Sequence, residues 1–151
     1  MEKIEPTQGL KITPINGLEL KKISIPILSS KVPAGFPSPA ESFLDDPINL
    51  HDFLFKNPSS TYCFWVEGAS MIEAGILDGD LVICDYSLEP HNGDIVVGVI
   101  DGEFTLKQIH VSSGKLYLKP RNEKFKPIEI TENMNFKIHG IITNTIHTFR
   151  K

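Results

Sequence analysis

Ser70 stands in the run WVEGASMIEAGILDGD, where an aromatic, strand-like stretch stops at Gly68-Ala69 and a methionine follows the serine. A serine there can close a turn, cap a short helix by accepting a backbone N–H two or three residues on, or attack a carbonyl. Gly68 and Ala69 leave little side-chain bulk, so another backbone could approach the hydroxyl closely. The first N–H groups of such a turn are unpaired donors, and donors of that kind can hold an oxyanion. A nucleophilic serine also needs a base. A His-Asp pair is conceivable, but none of His51, His91, His110, His139 and His147 stands out by context. Lys107 does. In EFTLKQIHV, strand alternation sets Phe104 and Leu106 on one face and Thr105, Lys107 and Ile109 on the other. Apolar Ile109 makes that face a partly dry one; the competing possibility is a lysine at a strand edge with its head in solvent.

The elements that must position these residues divide the chain in two. Residues 1–60 carry few strand signals and hold most of the eleven prolines. KVPAGFPSPA is the densest punctuation, and proline-rich backbone of this kind predicts an extended, exposed arm. One short helix is expected after it, with Asn49 as cap and Leu50, Phe53 and Leu54 on one face. From Thr61 onward the runs TYCFWVEG, DLVICDYS, GDIVVGVIDG, EFTLKQIHV, KLYLKP, PIEI and NFKIHGIITNTIHTF are short, β-branched and aromatic. That spacing predicts a mainly β domain, a sandwich or barrel-like sheet. Asp101-Gly102 between two such runs is the best hairpin signal, and SMIEAGI predicts one helical turn. The final run alternates poorly, as expected of a strand buried on both sides or paired across a two-fold axis.

Composition narrows the function classes. The 151 residues suit one domain of ordinary size, and 40% hydrophobic content supports a real core. A net charge of -4 without a basic cluster argues against sequence-specific DNA binding by this chain. The longest apolar stretches, such as Ile95 to Ile100, are far too short to cross a bilayer, and MEKIEPTQGLKITP lacks the apolar core of a secretion signal. A cytoplasmic protein is expected. Cys63 and Cys84 sit in strand-like runs and read as two buried thiols rather than a disulfide. Histidine and cysteine spacing offers no zinc site, Asp78-Gly79-Asp80 reads as a turn rather than a metal site, and no cofactor is expected.

AGFPSPA at 34–40, NPSSTY at 57–62, GASMIEAGILDGDLVICD at 68–85 and GDIVVGVIDGEFTLKQI at 93–109 together resemble the LexA-type self-cleaving serine peptidases, in their UmuD-like form. The likeness runs from about Ile25 to the C-terminus. It implies a LexA/signal-peptidase-like β domain, with Ser70 as nucleophile and Lys107 as general base. The Ala34-Gly35 bond is then the one the protein cuts in itself, dividing the chain into an arm, 1–34, and a peptidase domain, 35–151. The backbone N–H groups of Ala69 and Ser70 would form the oxyanion pocket. UmuD-like proteins often carry an acidic residue where Ala69 stands, but a backbone donor needs no side chain. Small Ala34 suits a shallow pocket, and Gly35 permits a tight bend.

The resemblance further implies a homodimer, a UmuC-type translesion polymerase as partner, and stimulation of the cut by RecA filaments on single-stranded DNA. LexA and the phage repressors carry an N-terminal helix-turn-helix domain. The 34 residues before the bond show no helical period, so no operator reading is expected. Three alternatives stand beside self-processing: a catalytically silent β-rich binding module, a prophage-type repressor fragment without its DNA-binding domain, and a peptidase acting on other proteins.

Overall fold

A computed structural model describes residues 24–28, 31–37 and 44–151. The chain divides into two compact units, one within Ile15–Lys56 and one that includes Asn57–Lys151. Residues 1–23 and 29–30 of the expected arm, and residues 38–43 beyond it, lie outside the described residues.

The first unit corrects the expectation that the region before residue 60 is poor in strands. β1 (Ser24–Leu28) pairs antiparallel with β2 (Leu44–Asn49). LDDPIN carries no strand signal, and SIPIL carries a proline as well. Pro26 and Pro47 both fall where the register shifts, between the Ile25–Ile48 and Ile27–Asp45 pairs. A proline has no N–H to give a ladder, so it is tolerated only where pairing is already interrupted or at an edge. In a two-stranded ribbon both strands are edges. α1 (Leu50–Leu54) follows at once, and the Asn49 side chain accepts the Asp52 N–H at 3.1 Å, as expected of the cap. Its apolar face is not buried: Leu50 and Phe53 remain exposed. Lys31–Pro37 is exposed and free of helix or strand, with a bend at Ala34–Phe36.

The second unit is a seven-stranded antiparallel sheet. In chain order its strands are β3 (Thr61–Trp65), β4 (Leu81–Asp85), β5 (Ile95–Ile100), β6 (Glu103–Ser112), β7 (Lys115–Lys119), β8 (Ile128–Glu129) and β9 (Phe136–Ile146). Their spatial order is β3-β4-β9-β5-β6-β7-β8, so the last strand lies between two hairpins. Asp101 and Gly102 join β5 to β6 with φ of 48° and 85°. Positive φ at both central residues is what a mirror-type two-residue turn demands. Ser113 and Gly114, at 51° and 72°, repeat the device between β6 and β7.

β9 explains its own poor alternation. Its register shifts once against β4, between Ile83 and Cys84, and once against β5, between Val97 and Gly98. Each irregularity resets which residues face which side. With neighbours on both edges and His139, Gly140 and Ile141 buried, the pattern is a property of one chain and says nothing about self-association. At Gly140, β9 leaves no room for a side chain against β4. A Cβ there would lie 2.5 Å from Cys84 Sγ and 3.2 Å from the Asp85 carbonyl oxygen. Gly140→Ala is therefore expected to cost about 1–3 kcal/mol through overpacking, read as a lower urea midpoint at unchanged slope.

Two apolar clusters fill the unit: Val96, Ile109, Leu118 and Ile141 in one, Met71, Ile76 and Val82 in the other. Cys84 is fully buried as expected, but Cys63 is exposed. β3 is an edge strand, and alternation turns Cys63 and Trp65 to the open side. Among the described residues, no helix is long and apolar enough to cross a membrane.

Candidate active site

The turn that carries Ser70 is built by its neighbours in sequence. Beyond β3, the Val66 N–H reaches the Asp80 carbonyl at 2.9 Å and the Gly79 N–H reaches the Val66 carbonyl at 2.8 Å. Asp78 and Gly79 make a turn, as their sequence predicts, with Gly79 at a φ of 85°. The Asp78 carboxylate accepts the Gly68 N–H at 2.7 Å and so ties the start of the serine turn. Asp80, buried, accepts from the Leu77 N–H and from the Thr145 hydroxyl. Burial pushes its pKa up, yet these bonds and His147 together hold it below the usual aspartate value.

The expected single turn of helix is a 3-10 turn at Ile72–Ala74, closed by Gly75 at a φ of 81°. Its cap position is Met71, and no side chain caps it. Ser70 is therefore not a capping residue. Met71, only 2% exposed, pins the turn into the core. The Ser70 hydroxyl faces the sheet, where it accepts a hydrogen bond from Lys107 Nζ at 3.3 Å.

Lys107 reaches that position from β6. Its Nζ also donates to Thr105 Oγ1 at 2.7 Å and to the Leu106 carbonyl at 3.0 Å. Thr105 and Lys107 share a face, as the alternation predicts, and Ile109 on the same face is buried. Burial disfavours the ammonium and holds the Lys107 pKa below the usual lysine value. Three acceptors therefore surround Nζ, one for each N–H of the ammonium. Loss of one proton leaves two N–H donors for Thr105 and Leu106 and turns a lone pair to the Ser70 hydroxyl.

The remaining expected site residues are also placed. The N–H groups of Ala69 and Ser70 donate to none of the described residues, which leaves them available to an incoming oxygen. Ala34 and Gly35 lie on the exposed bend of the first unit, and among the described residues nothing comes within 4 Å of the position a Gly35 Cβ would take. None of the five histidines hydrogen-bonds to Ser70. His110 is exposed, while His139 is buried with its Nε2 unpartnered and its ring edge-on to Phe104.

Sequence reasoning missed the loop after β7. The Arg121 N–H donates to the Ser70 carbonyl at 2.8 Å, and Asn122 Nδ2 donates to the Ala69 carbonyl at 2.8 Å. In return the Glu73 N–H donates to the Arg121 carbonyl, and Glu73 Oε1 accepts the Glu123 N–H. PRNE reads from sequence as ordinary turn chemistry, and only the fold brings it to the serine. A groove of about 510 Å³ has Phe64, Val66, Val97, Thr105 and Leu106 in its lining. Thr105 thus touches both the lysine and the groove wall.

The sequence matches the Peptidase S24-like family over residues 26–143. Protein MucA of Salmonella typhimurium is 37% identical over 124 residues, which span 82% of this chain and 84% of MucA. Protein ImpA of Shigella flexneri is 33% identical over 132 residues, 83% of this chain and 86% of ImpA. The LexA repressor of Stenotrophomonas maltophilia is 38% identical over 125 residues, 83% of this chain but only 58% of the repressor. The chain belongs to the peptidase S24 family.

Proposed function

We propose that this protein is a UmuD-like regulatory subunit that cuts itself once, between Ala34 and Gly35, with Ser70 as nucleophile and Lys107 as general base. The observation that carries the reading is the 3.3 Å approach of Lys107 Nζ to Ser70 Oγ on a face where the ammonium is disfavoured. The neutral amine takes the Ser70 proton as Oγ adds to the Ala34 carbonyl carbon. The N–H groups of Ala69 and Ser70 hold the resulting oxyanion. Collapse breaks the C–N bond, and the Lys107 ammonium returns its proton to the Gly35 nitrogen, which leaves as an amine. Water, deprotonated by the same lysine, then hydrolyses the Ser70–Ala34 ester.

The likeness to UmuD-type proteins supports the wider role. The fragment 35–151 would dimerise and serve a UmuC-type translesion polymerase in the cytoplasm, with the cut stimulated by RecA filaments on single-stranded DNA. The test is direct: incubation of purified protein at alkaline pH is expected to yield two fragments, the larger beginning at Gly35. An intact chain, or a cut elsewhere, counts against the assignment and favours a silent binding module.

Thr105 gives a finer test of how the base is held. Thr105→Val keeps the side-chain shape and removes the acceptor of the 2.7 Å bond. The amine then loses one of the two contacts that aim its lone pair. A drop of roughly tenfold in self-cleavage is expected, with the cut site unchanged.

A further inference from the structure

We propose that Asn122 is a positioning residue for the oxyanion pocket: its amide holds the Ala69 carbonyl and thereby aims the Ser70 N–H. The inference rests on Ser70 acting as the nucleophile. A peptide group is planar, and in its trans form the C=O and the following N–H point in opposite directions. Whatever fixes the Ala69 carbonyl therefore fixes the direction of the Ser70 N–H as well. Asn122 Nδ2 makes that contact at 2.8 Å, the shorter of the two bonds the carbonyl accepts; the other comes from the Ile72 N–H at 3.3 Å.

The amide is itself held in orientation. Asn122 Oδ1 accepts the Lys124 N–H at 3.0 Å, which leaves the NH₂ end facing Ala69. One peptide further on, the Arg121 N–H fixes the Ser70 carbonyl at 2.8 Å. Two consecutive peptide planes of the nucleophile turn are thus set from one loop, and Gly68 is tied from the other side by Asp78. An oxyanion donor contributes only when it already points at the place where charge develops. A loop remote in sequence fixes that direction before any substrate arrives.

Two substitutions separate the donor from the loop. Asn122→Ala removes both side-chain bonds, whereas Asn122→Asp keeps an acceptor for the Lys124 N–H and loses the donor to Ala69. Self-cleavage of both is measured from pH 7 to 10 beside the wild type, with thermal melts of each protein. The expected result is a fall of about tenfold to a hundredfold at every pH in both variants, with the alkaline rise in rate at the same pH as in the wild type and melting temperatures close to it. Wild-type rates in a folded Asn122→Asp chain overturn the proposal. So does a loss that shows as a displaced pH profile, since Asn122 would then act through Lys107. A wild-type chain that stays intact at all pH values removes the peptidase reading itself, an outcome distinct from failure of the Asn122 role alone.

Discussion

A Ser70→Ala chain is expected to remain full length under every condition that cuts the wild type. The substitution removes one oxygen from a half-buried position beside the core-anchored Met71, and no cap depends on that oxygen. The fold should therefore survive, with a melting temperature close to that of the wild type. Without Oγ there is no atom to add to the Ala34 carbonyl, so the loss of rate should reach the limit of detection, about a thousandfold or more. Mass measurement of the incubated chain is the readout. A Ser70→Ala protein that still yields a fragment beginning at Gly35, free of contaminating protease, removes Ser70 from the mechanism. The same variant tests exchange between chains. Mixed with a wild-type active site whose own bond is blocked at Ala34, it should be cut if one chain serves another.

Lys107 is expected to set the pH profile of self-cleavage. An ordinary solvated lysine titrates near 10.4, so at neutral pH fewer than about one in a thousand carries the free amine. Burial lowers the pKa of Lys107, which increases the neutral fraction at any pH below it. The sign follows. Cleavage should rise with pH by about tenfold per unit while the pH lies below the lysine pKa, then level off once the amine is free. The plateau should begin below the pH at which an ordinary lysine titrates. Lys107→Arg should abolish cleavage from pH 7 to 10, because a guanidinium does not lose its proton in that range. Lys107→Ala should be equally silent for want of a base. A wild-type rate that is flat from pH 7 to 10, together with an active Lys107→Arg, would remove the lysine from the mechanism and return attention to His139 and His110.

Much of this site could be read in the sequence because its signals are local. The FTLK alternation places Thr105, Lys107 and Ile109 on one face, and the structure keeps them there. Asp101-Gly102 carries its own turn geometry, and Asn49 its own cap. What was illegible depends on partners distant in the chain. Asn122 lies 53 residues from Ala69, and nothing in PRNE announces that contact. β2 escaped notice because LDDPIN lacks strand propensity and is held by pairing with β1. The exposure of Cys63 depends on β3 being an edge, which is a property of sheet order rather than of TYCFW.

The place of β9 in the sheet has a consequence for synthesis. The turn that carries Ser70 joins β3 to β4, while Lys107 belongs to the β5–β6 hairpin; within the sheet only β9 hydrogen-bonds to both halves. A ribosome making about 5–20 residues per second needs a few seconds to pass from Lys107 to Ile146. Throughout that interval Ser70 and Lys107 already exist in the nascent polypeptide, yet the strand that joins their two halves does not. Translation thus imposes its own delay, and the bond at Ala34-Gly35 leaves the ribosome before the apparatus proposed to sever it is assembled.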